Sequence, residues 1–189
     1  MTDTMLEDRR TDGRRWLTTY YFARAAFSIL WVAAAFTVGA DVPALAAALL
    51  IVYPAWDAAA NVVDARRNGG LKANPTQTLN AVVSTVTTAA VAVALGASMF
   101  AVLGVFGVWA TLSGLLQLGT ALRRWKSVGA QWAMALSGAQ SAVVGITFLI
   151  KANGSVVPGV TDVAPYAGFG AFYFLASALW LVVSDRRRG

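Results

Sequence analysis

The stretch VYPAWDAAANVVDARR, Val52–Arg67, decides the fold. Its first part continues an apolar run that begins near Val42, and its end carries Asp64, Arg66 and Arg67. A run of about 20 residues is what a helix needs to cross ~30 Å of hydrocarbon. The terminal charges fall where such a span meets water. Asp57 and Asn61 are harder to place, because they lie inside the apolar part.

The same pattern recurs outward from this stretch. Apolar blocks run over 16–38, 42–63, 79–97, 99–122, 131–150 and 164–183. They are continuous rather than alternating, which argues against a β-barrel. Of the 189 residues, 58% are hydrophobic and only 13% charged. A soluble domain needs about 25% charged residues to cover its surface, so the bilayer is the main solvent. The expected fold is all-α: a polytopic integral membrane protein with six transmembrane helices, arranged as three tandem helical hairpins.

The connections divide into two kinds. GADVP and LGASM are short and hold no Lys or Arg, whereas DARRNGGLKANPTQ and RRWKSVGA are basic. Thirteen of the fifteen basic residues fall on one side: the N-terminal tail, these two loops and the C-terminal SDRRRG. Lys151 alone falls on the other side, and Arg24 lies within the first span. Basic loops stay cytoplasmic, so both termini are expected inside. Residues 1–15 then form a polar cytoplasmic tail of disordered character. Residues 16–184 form the membrane domain, with hairpins at about 16–65, 77–124 and 129–184, and 185–189 form a basic tail. The three returning helices end alike, in NVVDARRNGG, LGTALRRWK and LVVSDRRRG. That likeness suggests parallel repeats, although any six-span chain with inside termini gives three such hairpins.

One segment, FGVWATLSGLLQLGTALRRWKSVGAQWAMALSGAQSAVVGITFL (Phe106–Leu149), resembles the HdeD-like membrane protein family. The likeness lies in a helix with Trp109, Ser113 and Gly114 ending in Arg123 and Arg124, a short basic loop, Trp132, and a helix with Ser137-Gly138 and Gly145. It implies a repeated helix-pair domain in a bacterial inner-membrane protein of acid or envelope stress, with no catalytic site. The second span departs from the pattern, since Asp57 stands where the fourth span has Ser113 and Gly114.

Small residues recur at spacing four: Ser137, Ser141 and Gly145; Gly107 with Thr111; Ala110 with Gly114; Ala81, Thr85 and Ala89. Such faces let helix backbones approach closely, within one subunit or across a homo-oligomer interface. Trp16, Tyr20, Tyr21, Trp125, Trp132 and Trp180 cluster toward span ends, as interfacial anchors do.

The absence of Cys excludes disulfides and thiolate chemistry. The absence of His removes the commonest general base and metal ligand. No phosphate-binding loop, nucleophile with a base or metal-spaced carboxylate cluster stands out, so no enzyme, cofactor or metal site is expected. The net charge of +6 belongs to topology and contact with lipid headgroups, not to nucleic acid.

Asp57 lies ~10 Å deeper than Asp64, and Arg24 lies ~12 Å into the first span from Trp16, at 1.5 Å per residue. Their depths match on consecutive antiparallel helices. A lone charge at mid-span costs ~2.5–3.5 kcal/mol, and pairing relieves it. Pro54 frees a backbone carbonyl nearby. Asn61, Asn80, Gln117, Gln131 and Ser177 fall in the same half. Arg24, Asp57, Asn61, Asn80 and Gln117 therefore form the candidate intramembrane cluster. Its role is to fix helix register, or to hold a small ligand, ion or proton as a small transporter or channel would; the third reading is that Arg24 snorkels alone and Asp57 is protonated or hydrated.

Overall fold

The computed structural model describes residues 3–123 and 131–187. Helix α1 runs Asp3–Ala34 and ends in a π-helical turn, Ala35–Gly39. Then follow α2 (Pro43–Arg67), α3 (Pro75–Leu95), α4 (Met99–Arg123), α5 (Gln131–Ala152) and α6 (Val160–Arg186). The described residues form no strand. Each helix contains a segment long and apolar enough to cross a membrane, from Arg15–Gly39 to Val160–Arg186. Large apolar side chains such as Leu30, Val93, Ile150 and Phe172 lie exposed on the outward faces. In a bilayer those faces meet lipid. The chain is thus a six-helix membrane protein.

The N-terminal tail departs from its expected disorder, since α1 is helical from Asp3 onward. A helix anchored in its span extends into Leu6, Glu7, Arg9 and Arg10 at little cost, because nucleation is already complete. Most of the basic loop expected at 123–130 lies outside the described residues, including Arg124, Trp125 and Lys126, as does Arg188.

The helices follow one another as hairpins, yet the tightest packing is offset from them. The closest pairs are α4 with α5, α1 with α6, and α2 with α3. Within the chain's hairpins, α1 touches α2 sparsely and α5 touches α6 sparsely, while α3 and α4 make an intermediate contact. Two groups result, a four-helix body of α2–α5 and an α1–α6 pair. The π-turn touches α2, where a Cβ on Gly39 would lie 2.9 Å from the Leu49 side chain, and the start of α6, where it would lie 3.2 Å from Val160.

The α4–α5 contact is a glycine seam. A Cβ on Gly114 would lie 2.5 Å from the Ala142 nitrogen, one on Gly138 2.7 Å from the Leu118 nitrogen, and one on Gly145 2.5 Å from the Thr111 nitrogen. Gly107 faces Leu149 and the Gly145 carbonyl, 2.8 and 2.9 Å from such a Cβ. Each helix offers glycines seven apart, and the two rows interlock. Ser141 Oγ donates to the Ala110 carbonyl across the seam, at 3.0 Å. Gly107, Gly114, Ser141 and Gly145 thus pack within one subunit. Gly138 joins them and Ser137 does not; it lines the cavity described below. On α3 the spacing-four series leaves the interior, since Ala81 is buried but Thr85 and Ala89 are exposed. Steps of four drift around a 3.6-residue helix, so the buried series mixes threes and fours: Ala81, Ser84, Thr87, Val91, Ala94.

The apolar core occupies one half of the bundle. Trp31, Leu50, Val91, Leu103, Phe106, Phe148 and Val163 fill the end nearest the short turns that hold no Lys or Arg. The half toward the basic loops is hollow.

Candidate functional site: a polar cavity closed at one end

The hollow half is a cavity of about 590 Å³ lined by all six helices. Its mouth lies toward the basic α2–α3 connection, where Ala73, Asn74, Pro75 and Thr76 form the rim. Gly69 and Gly70 turn the chain out of α2 with φ of 98° and 95°, a conformation that suits glycine. The Asn74 amide then pins the loop by donating to the carbonyls of Asn68 (2.8 Å), Gly70 (2.8 Å) and Ala65 (3.3 Å). Asp64 accepts from Asn68 (2.9 Å) and Gln77 (3.3 Å) at the same rim.

At the far end, aromatic rings close the cavity. Tyr53 meets Trp109 edge-on at 5.9 Å, and Trp109 meets Tyr166 at 5.9 Å. Trp31 packs on Tyr53 at 4.9 Å and donates its indole N–H to the Leu49 carbonyl at 2.8 Å. Leu49 precedes Leu50, whose helical donor Pro54 removes, so the indole binds in the disturbed turn. Tyr53, Trp109 and Tyr166 are thus the face that the apolar core turns to the cavity.

Between rim and floor lies the ion pair. Arg24 Nη2 on α1 bonds Asp57 Oδ1 on α2, with side chains 13% and 20% exposed. Asp57 Oδ2 accepts from Ser84 Oγ at 2.7 Å and from Asn61 Nδ2 at 3.1 Å. Trp109 Nε1 donates to Ser84 Oγ at 3.2 Å, so the network joins α1, α2, α3 and α4. Arg24 Nη1 donates to Tyr20 Oη at 3.0 Å, and its guanidinium lies 4.4 Å from the Phe174 ring centroid. Both charges are therefore satisfied within the protein, with a cation–π contact added on α6.

The structure brings Arg24, Asp57, Asn61, Asn80 and Gln117 to one cavity. Ser177 is not there; it is exposed on the outer side of α6. The side chains of Gln131 and Trp132 lie outside the described set. Tyr20 and Tyr21, expected as interfacial anchors, line the cavity instead, because they sit four and three residues before Arg24 on the same face of α1. Trp180 is exposed on α6, and Trp16 packs under the Arg67 guanidinium at 5.4 Å.

Ser84, Trp109, Tyr20 and Phe174 were missed in the sequence, although two signals existed. Ser84 lies one turn from Asn80 on α3, and Trp109 is a tryptophan at mid-span, away from where interfacial rings sit. Among the described residues no cluster of acidic residues could hold a metal ion. No protein-family model, curated protein or solved structure matches the chain.

Proposed function

We propose that the chain is a small-solute transporter of a bacterial cytoplasmic membrane, non-enzymatic, with both termini inside and the cavity facing the cytoplasm. One observation carries this reading: a polar cavity, closed at one end by the apolar core that the two helix groups share, lies between the α1–α6 pair and the α2–α5 body. Soluble-ligand sites of about 300–1,000 Å³ are typical, and this cavity falls in that range. A transporter needs a mid-membrane site between bodies that can rock. The α1–α6 pair and the α2–α5 body supply the bodies, with Arg24–Asp57 as a latch across their interface. The sidedness rests on the thirteen basic residues of one face. The stress role implied by the HdeD-like resemblance rests on Phe106–Leu149, whose described residues carry the glycine seam.

The absence of native cysteine allows a test that needs no substrate. Single cysteines at Ser113 and Ser137 in proteoliposomes of known orientation are exposed to an impermeant thiol reagent from either face. Labelling from both faces is expected, since alternating access opens the cavity to each side in turn. Labelling from the basic-loop face alone would make the cavity a one-sided vestibule and end the transporter reading.

A further inference from the structure

The chemistry of the cavity wall narrows the solute. The charges at its base are already paired. Arg24 is held by Asp57, Tyr20 and Phe174, and both Asp57 oxygens are occupied. Asp64 lies at the rim, where amides donate to both its oxygens and its charge meets the solvent of the mouth rather than the base. Neither an anion nor a cation finds an unspent countercharge at the base.

Uncharged groups remain. Asn80 on α3, Ser113 and Gln117 on α4 and Ser137 on α5 line the cavity, and among the described residues their side chains have no hydrogen-bond partner. Ser113 and Gln117 are one turn apart on one face of α4. The seam places Gly138 against Gly114 and Leu118, so Ser137 lies at the same level. Each amide presents donor and acceptor together, and each hydroxyl does both. The opposite wall is aromatic: Tyr20 and Tyr21 from α1, Tyr173 and Phe174 from α6. Tyr21 and Phe174 lie 6.0 Å apart, and Tyr173 Oη donates to Gln140 Oε1 at 2.7 Å.

A wall of paired donors and acceptors facing ring faces matches a molecule with hydroxyls on its edges and C–H groups on its faces. We infer that the cavity binds a small neutral polyhydroxylated solute, of the monosaccharide or sugar-alcohol class; this deepens the transporter reading and rests on it. Asn80 and Gln117 bind its hydroxyls, and the α1–α6 rings stack on its carbon skeleton.

The test uses the full chain purified in detergent and equilibrium binding of radiolabelled D-glucose, D-mannitol, myo-inositol and glycerol, with choline and acetate as charged probes. At least one polyol should bind saturably, and choline and acetate should not. Asn80→Leu and Gln117→Leu should each weaken that binding by about tenfold, the loss of one hydrogen bond to a desolvated group. Ser113→Ala, a smaller change, repeats the measurement should the leucine variants not fold. Binding of choline or acetate without any polyol overturns the neutral class and leaves the transporter reading standing. The absence of binding by every probe, with cavity cysteines still labelled from both faces, also overturns it. Unchanged polyol affinity in folded variants overturns the assignment of these residues.

Discussion

Asp57→Ala removes the acceptor at the centre of the buried network. It leaves the Arg24 guanidinium, with its side chain 13% exposed, without a counter-ion, and strips Ser84 and Asn61 of a shared acceptor. Breaking a buried pair by removing one partner costs ~3–5 kcal/mol, because the survivor stays desolvated and unpaired. At roughly 2–4 °C per kcal/mol for a chain of this length, Tm falls by on the order of 10 °C. Arg24→Ala strands the carboxylate instead, but Ser84 and Asn61 still donate to it, so its loss is the smaller of the two. The double alanine variant leaves no unpaired charge and recovers about 1–3 kcal/mol relative to the sum of the single losses. The charge swap, Arg24→Asp with Asp57→Arg, recovers less than the double alanine. The site at 57 is built from donors, and a guanidinium has no acceptor to offer them. Thermal melting of all five proteins in one detergent, followed by loss of monodisperse protein, measures the cycle. Strictly additive single losses would mean that the two side chains do not stabilise each other.

Two further outcomes follow from packing and topology. Gly114→Ala and Gly138→Ala each force a Cβ against backbone atoms of the opposite helix and should cost ~1–3 kcal/mol, whereas Gly119→Ala and Gly168→Ala meet nothing within 4 Å and should hold or slightly raise the melting temperature; equal losses in both sets would remove the seam. Cysteines at the exposed Lys72 and Val156 should react with an impermeant thiol reagent from opposite faces, and in intact cells only position 156 should label, a result that labelling at 72 would reverse.

Much of the site was legible in the sequence. The depths of Arg24 and Asp57 could be measured from the span ends at 1.5 Å per residue, and the cost of a lone charge in hydrocarbon pointed to their pairing. The same depth argument brought Asn61, Asn80 and Gln117 to one level. It failed for Ser177, because depth fixes a residue's height but not the direction in which its helix turns it. Ser84 and Trp109 escaped for a different reason. A serine in a span bonds its own backbone as readily as a neighbour, so only the arrival of α2 and α4 beside α3 gave it Asp57 and Trp109.

The six spans, the basic face and the small-residue faces of α4 and α5 were determined by the sequence alone. Each is a local property, set by whether a segment prefers hydrocarbon, by where its charges must stay in water, or by how narrow one helix face is. The choice of partners was left to the tertiary structure. It paired α1 with α6 and offset the tight pairs from the chain's hairpins, which opened the cavity between an α1–α6 pair and an α2–α5 body. Hydropathy carries every span into the membrane but does not choose between neighbours there, since lipid tails are as apolar as the helices. In that solvent only backbone approach at glycines and side-chain bonds such as Arg24–Asp57 and Tyr173–Gln140 distinguish one helix from another, and these exist only once the helices have met.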